Sequence, residues 1–255
     1  MALQLTKAVT DGSRRVLSRT GGVLFAALLV HQLAVVTSLN TVIAAQLPPA
    51  ATEVVGLSLP VPAPVAGAVL AAAVGFGGVY FVVLARALTR PTTRLSSFPA
   101  DLYTRRIGRA TLTMLVGGAV VSLAVTVGFV LLFLPGLFLA ACFLFFAFAV
   151  GVEDRGVVGA IERSWRISRG NRLRLVAFVL AVGALGLLFG TVPAALQVAG
   201  AAALGDLVSA LLNAALYTFV HGVAAAAYLQ LADGGRGPGG SNAVASPGAE
   251  HAADL

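Results

Sequence analysis

Four residues in one polar connection of the chain carry side chains suited to binding anions: Arg163, Trp165, Arg166 and Arg169. The connection spans residues 153–171 and, wound at 100° per residue, is amphipathic. Its apolar face would hold Val157, Val158, Ile161 and Trp165, and its polar face Arg155, Glu162, Arg166 and Arg169. Tryptophan suits the headgroup level of a membrane, and arginine can meet lipid phosphates or anionic partners. We therefore predict an interfacial helix that binds lipid or a partner through these four residues.

Two plainer roles remain open for this connection. It can be a linker that orients the chain and makes only generic lipid contacts. Alternatively, Glu153 or Glu162 pairs with arginines of neighbouring loops and holds this face of the protein together. In each case Gly170 is suited to end the helix, because glycine readily adopts the left-handed conformation found there.

A second group of candidate residues lies inside apolar stretches. Ser209, Asn213, Tyr217 and His221 recur every four residues and so form one stripe on a helix, while His31 lies near the middle of another apolar run. If the two helices are neighbours, His31 and His221 could face each other. Because polar groups are costly in hydrocarbon, such residues indicate either hydrogen bonds between helices or a path for protons or solutes. Both interpretations remain open.

Known designs of intramembrane enzymes need residues that this sequence lacks. A serine protease needs a serine within reach of a base, typically on its fourth span, and the apolar run 136–152 contains no serine. Paired intramembrane aspartates and a His-Glu-x-x-His zinc helix are also missing. The single cysteine, Cys142, rules out a cysteine metal cluster. We expect no catalytic residue, no cofactor and no metal.

A longer motif surrounds the arginine-rich connection. It contains Leu134-Pro135-Gly136, a span ending near Glu153, and then Gly156, Ala160-Ile161, Arg163-Ser164-Trp165, Ile167-Ser168 and Gly170-Asn171. In this motif the chain resembles uncharacterised prokaryotic membrane proteins that are similar to the membrane domain of glycerophosphoryl diester phosphodiesterases, and the fuller chain resembles a haloarchaeal branch of them. The resemblance implies a multi-helix membrane module. The clustered Glu, Asp and His of a phosphodiesterase site are missing, so we do not expect that activity.

The elements that must position these residues are apolar runs long enough to cross a bilayer. Of the 255 residues, 58% are hydrophobic and only 11% are charged, whereas a soluble domain has about 25% charged residues. A helix needs about 20 apolar residues to cross the hydrocarbon. Six such runs occur, at about residues 21–45, 64–88, 110–134, 136–152, 173–192 and 207–231. We predict an all-α bundle of six transmembrane helices, with the amphipathic helix between spans four and five.

The turn residues Pro135 and Gly136 predict that spans three and four form a tight hairpin rather than one long kinked helix. All 17 Lys and Arg residues fall on one side of this topology, and the opposite loops hold only Glu53 and Asp206. Because short loops rich in Lys and Arg stay in the cytoplasm, we predict a cell-membrane protein with both termini inside. Residues 1–20 would form a basic cytoplasmic segment and residues 232–255 a disordered tail.

This topology explains the net charge of +7 without nucleic acid as a partner. The sequence favours a non-catalytic membrane module that acts at its cytoplasmic face through membrane lipids, anionic ones included, or through a protein partner or a second copy of the chain. The alternative is a transporter of small solutes or lipids with a polar path near His31 and His221.

Overall fold

The computed structural model describes residues 3–48, 52 and 55–233, and this part of the chain consists of helices and their connections, with no strand. The α-helices are α1 Leu5–Val16, α2 Arg19–Ala44, α3 Ala63–Leu88, α4 Asp101–Thr104, α5 Ile107–Leu131, α6 Phe133–Phe143, α7 Phe146–Gly151, α8 Val157–Ser168, α9 Arg172–Val198 and α10 Ala202–Asp233. The predicted tail from residue 234 onward lies outside the described residues.

Six segments are long and apolar enough to cross a membrane, which confirms the predicted all-α, six-span bundle. Five are the helices α2, α3, α5, α9 and α10, and the sixth is the broken helix α6–α7, Phe133–Gly151. Span five continues past Pro193 to Val198, and span six begins at Ala202, so both extend beyond the predicted limits. A proline is tolerated inside such a helix because its surroundings can satisfy the freed backbone groups. The chain is a multi-pass membrane protein.

The six spans form a closed ring in chain order. Helix α2 packs on α3, α3 on α5, α5 on α6, α6 on α9, α9 on α10, and α10 returns to α2. Because successive spans run in opposite directions, the arginine-rich connections of the described residues lie at one end of the ring, which we call the arginine end. The densest packing lies in the same half of the bundle, where Leu84, Leu88, Phe145, Phe148 and Val223 are at most 1% exposed. Helix α9 is the most exposed span.

The predicted hairpin between spans three and four is present, but its turn lies earlier than expected. The chain reverses at Leu132, which is extended, and Pro135 lies in the first turn of α6. There the missing N–H of proline removes no helix hydrogen bond. The two helices approach so closely that a Cβ on Gly128 would lie 2.8 Å from the Cα of Gly136. Glycine at both positions allows this contact.

The N-terminal segment, which the sequence predicts only as basic, forms α1 and packs across α10. A Cβ on Gly12 would lie 2.6 Å from backbone atoms of Val223, so the two helices touch through their backbones. The backbone N–H of Leu3 also donates to Oδ1 of Asn171 at 2.8 Å. Helix α1 is therefore an integral part of the arginine end. Burial lowers the pKa of Arg15 in this helix, although Asp11 opposes the shift.

Candidate functional site

Helix α8 lies against the break between α6 and α7. Its buried face consists of Ala160, Ser164, Ile167 and Ser168. The hydroxyl of Ser164 donates to the carbonyl of Cys142 at 2.8 Å and accepts from the backbone N–H of Phe145 at 3.2 Å. Because the break removes helix hydrogen bonds at these positions, Ser164 replaces them. This polar side chain fixes α8 to the bundle together with Ala160 and Ile161, which pack on an apolar cluster.

Trp165 stands at the edge of this contact and holds an arginine from the next helix. Its ring packs edge-on against Phe138, with centroids 5.7 Å apart. The Cζ atom of Arg172 lies 4.3 Å from the Trp165 ring centroid and 5.2 Å from that of Phe138. This arrangement is a cation–π contact, which fixes the guanidinium plane. We call these three residues the Trp165–Arg172 corner.

Two guanidinium nitrogens of Arg172, Nε and Nη2, are buried and have no hydrogen-bond partner among the described residues. No described carboxylate pairs with this arginine either. Since arginine is always charged and has only donors, these N–H groups need an acceptor. The corner therefore presents a fixed cation with unmade hydrogen bonds.

The predicted arginines of α8 fall into two groups. Arg163 donates through Nε to the carboxylate of Glu153, at 2.8 and 3.0 Å, and so is already paired. Arg166 and Arg169 are exposed and make no side-chain hydrogen bond or ion pair within the described part of the chain. Of the three predicted arginines, Arg166 and Arg169 therefore remain free to meet a ligand.

Glu153 joins three parts of the arginine end. Besides Arg163, its carboxylate accepts from Nε of Arg155 at 2.6 Å and from the hydroxyl of Tyr228 at 2.7 Å. Tyr228 is buried in α10 and stacks on Phe148. Burial by itself would raise the pKa of Glu153, but the hydrogen bonds from Arg155, Arg163 and Tyr228 outweigh it, and the pKa lies below its usual range. Glu153 thus pairs with arginines of its own connection and not with those of neighbouring loops, as the alternative prediction had it, and Glu162 is exposed.

The neighbouring carboxylate, Asp154, ties the same connection to the other side of the ring. It pairs with Arg86 at 3.2 Å and with Arg105 at 3.0 Å. The buried Arg86 also donates to the carbonyls of Gly151 and Leu102. Asp154 adopts a left-handed backbone with φ of 51°, which aspartate tolerates better than most residues. Glu153 and Asp154 together fix the geometry from which α8 begins.

A family model described as "Domain of unknown function (DUF7847)" matches residues 3–231. The chain belongs to this family. The match includes α1, all six spans and α8, so the arginine end belongs to the family's domain. No curated protein and no solved structure matches the chain. The resemblance to the membrane domain of glycerophosphoryl diester phosphodiesterases, and to its haloarchaeal branch, stays a prediction.

The predicted polar stripe of α10 is satisfied largely within its own helix. The amide of Asn213 donates to Oγ of Ser209 at 3.1 Å, and Nδ1 of His221 lies 2.6 Å from the carbonyl of Tyr217. Each bond joins residues four apart in one helix, so neither connects two spans. The side chain of Tyr217 is 47% exposed.

His31 and His221 do not meet directly. The ring of His31 contacts Phe76, at 5.8 Å between centroids, and the ring of His221 contacts Phe81, at 5.5 Å. Tyr80 lies between these two phenylalanines and donates its hydroxyl to the carbonyl of Leu24. The rings that separate the histidines thus offer one hydroxyl, which is already bonded.

The sequence did not point to Arg172, Tyr228 or Arg86 as site residues. Arg172 follows Trp165 by seven residues, but Gly170, with φ of 83°, turns the chain between them, so helical spacing does not relate the two. Among the described residues, no group of three or more His, Cys, Asp or Glu could hold a metal ion. The site is a cationic and aromatic one.

Proposed function

We propose that this protein is a non-catalytic membrane module that binds the phosphate group of an anionic lipid at the Trp165–Arg172 corner. The observation that carries the proposal is the pair of buried, unpartnered guanidinium nitrogens of Arg172. An unmade hydrogen bond at a buried donor costs about 1–3 kcal/mol. The cation–π contact with Trp165 contributes attraction but supplies no acceptor. A phosphate oxygen at this corner would supply it.

The free arginines nearby support an anionic ligand. Arg166 and Arg169 are exposed and unpaired within the described residues. Near an anionic membrane surface each such side chain contributes about 1 kcal/mol of attraction. Arg163 is the exception, because it already pairs with Glu153. We therefore assign lipid binding to Trp165, Arg166, Arg169 and Arg172, and a structural role to Arg163.

The apolar surroundings favour a lipid over a soluble anion or a protein partner. Leu173, next to Arg172, is 86% exposed, and Val158 on α8 is 68% exposed. A phosphate with acyl chains would cover such side chains while meeting the guanidinium. An arginine at this level can keep its charge in the headgroup layer while its stem lies along apolar surface.

The orientation belongs to the same proposal. We place the protein in the cell membrane with the arginine end and both termini in the cytoplasm, because loops rich in Lys and Arg are retained there. The opposite end carries Asp206, which accepts hydrogen bonds from Asn40 at 2.8 Å and from the backbone N–H of Leu57 at 2.9 Å. Glu53 lies outside the described residues.

Transport of a small solute or lipid along His31 and His221 is the weaker proposal. A proton or solute path needs groups that can exchange hydrogen bonds along its length. Between the two histidines lie aromatic rings, and the side-chain hydrogen bonds of Asn213 and His221 stay within α10. Flux into proteoliposomes that disappears in a His221→Ala variant would favour transport over the lipid-binding module.

Native mass spectrometry of the purified protein, prepared with anionic and neutral lipids, tests lipid binding. We expect the wild type to retain anionic lipid and Arg172→Gln to lose most of it. Arg172→Lys should retain an intermediate amount, because it keeps the charge but loses the planar fork. Arg14→Gln is the control, since Arg14 is likewise unpaired within the described residues but is exposed and lies on α1, away from the corner. Equal lipid retention by the Arg172→Gln and Arg14→Gln proteins would refute the proposal.

A further inference from the structure

A second basic feature of the arginine end lies away from α8, between the end of α3 and the start of α5. It is an open cavity of about 280 Å³, far above the roughly 10–15 Å³ that one water needs. Its charged lining consists of Arg86, Arg90, Arg94, Arg105 and Asp101. We call it the four-arginine pocket. Its lining therefore carries a surplus of positive charge.

Protein contacts hold two of these arginines in place without using all of their donors. Nη1 and Nη2 of Arg90 donate to the carbonyl and hydroxyl of Ser97, at 2.8 and 3.2 Å. The backbone carbonyl of Arg90 accepts from Arg15 at 2.7 Å, which fixes the base of the pocket. Nη2 of Arg105 donates to Asp154 and to the carbonyl of Val152. The other guanidinium nitrogens of Arg90 and Arg105 bond no described residue and can donate to a ligand.

Arg94 differs from the other three. Its side chain is exposed and makes no hydrogen bond or ion pair within the described part of the chain. Arg86, by contrast, is buried and uses Nε, Nη1 and Nη2 in the fold. The pocket thus combines the buried Arg86, the two guanidinium groups of Arg90 and Arg105 that the fold positions, and the free Arg94. Arg94 is the residue whose removal disturbs the ligand site and not the fold.

The chemistry of the lining favours a tetrahedral oxyanion over a carboxylate. Arg90, Arg94 and Arg105 can each donate to a separate oxygen, and a phosphate monoester has three terminal oxygens against two in a carboxylate. Its charge of about −1.5 to −2 at pH 7 also suits a lining with several cations. Asp101 disfavours any anion and so limits affinity.

We propose that the four-arginine pocket binds a phosphate monoester, either as a soluble compound or as the headgroup of a lipid. This is a second site, built from residues that the Trp165–Arg172 corner does not use. It does not depend on lipid binding at that corner.

The test uses the full-length protein and two probes: inorganic phosphate by titration calorimetry, and nanodiscs containing phosphatidic acid by native mass spectrometry. Arg94→Gln should weaken binding about tenfold, the effect of losing one charge-assisted contact. Asp101→Asn should strengthen it, because it removes the only repulsive charge of the described lining. Arg14→Gln is the control, since Arg14 is also exposed and unpaired within the described residues but lies outside both the pocket and the Trp165–Arg172 corner.

The outcomes separate the two sources of phosphate. Binding of inorganic phosphate that depends on Arg94 supports a soluble monoester. Retention of phosphatidic acid that depends on Arg94, without binding of inorganic phosphate, supports a headgroup. The proposal is overturned if neither probe binds, or if Arg94→Gln binds as tightly as the wild type. A loss seen only in Arg172→Gln would concern the Trp165–Arg172 corner and would leave the pocket without support.

Discussion

Replacing Glu153 tests whether its carboxylate stabilises the arginine end. The side chain of Glu153 is 20% exposed and that of Arg163 is 23% exposed, so their pair is partly shielded from water. The side chain of Arg155 is 39% exposed and its pair contributes little. A hydrogen bond to a charged group contributes about 1.5–3 kcal/mol when buried. After discounting for exposure, we expect Glu153→Gln to lower the free energy of unfolding by about 1–2 kcal/mol.

A double-mutant cycle with Tyr228 separates the charge from the hydroxyl contact. Tyr228→Phe removes the donor that lies 2.7 Å from the carboxylate and keeps the stacking on Phe148. We expect it to cost about 1 kcal/mol, and the double variant to cost less than the sum of the single ones, because both remove the same contact. Purely additive effects would show that the hydroxyl and the carboxylate do not interact.

The assay is reversible unfolding of the detergent-solubilised protein by increasing fractions of SDS. The fluorescence of the single tryptophan, Trp165, follows the transition because its ring packs against Phe138 and Arg172 in the folded state. Tryptophan stays in place in every variant of the cycle. A change below about 0.5 kcal/mol for Glu153→Gln, the size expected of an ordinary surface substitution, would refute the structural role of the carboxylate.

Three further predictions concern acidity, helix packing and topology. Because the folded pKa of Glu153 is lowered, its contribution to stability is present above its ordinary pKa of about 4.3 and is lost as the pH falls through the lowered folded pKa. The wild type and Glu153→Gln should therefore converge in thermal stability at acidic pH. Gly12→Ala should lower the thermal stability and expose α1 to protease, because the added Cβ would lie 2.6 Å from backbone atoms of α10. The control Gly22→Ala should have neither effect, because a Cβ there would have no atom within 4 Å. The topology test uses a background without the native cysteine. There, a cysteine at Val198 should react with an impermeant thiol reagent in intact cells, and one at Arg169 only after permeabilisation. The reverse pattern would invert the proposed orientation.

The spans could be predicted from the sequence because hydropathy is a local property. A run such as 64–88 is apolar at nearly every position, so its place in a bilayer follows from its own residues. The four-residue spacing of Asn213, Tyr217 and His221 correctly predicts one stripe on α10. The sequence does not reveal that their hydrogen bonds stay inside the helix, since that depends on which neighbour the stripe faces.

The candidate site depends on contacts between distant segments and was only partly predictable. Trp165 and the free arginines of α8 follow from composition and helical spacing. Glu153 and Tyr228 are 75 positions apart, and their contact requires the packing that brings Tyr228 of α10 against Phe148 of α7. The backbone contact of Gly12 with α10 has the same origin. Such pairings depend on the rotation of each helix about its axis, which no local pattern specifies.

The lipid site can be examined at the level of single atoms by solid-state NMR. The protein, with ¹⁵N-labelled arginine, is reconstituted in bilayers of anionic lipid, and the coupling between guanidinium nitrogen and lipid phosphorus is measured. A hydrogen bond of about 2.8 Å from nitrogen to oxygen places the phosphorus about 4 Å from the nitrogen. We predict such a short-range signal in the wild type and a weaker one in Arg172→Lys, which carries no labelled guanidinium at this position. Identical coupling in the two proteins would contradict a phosphate bound by Arg172.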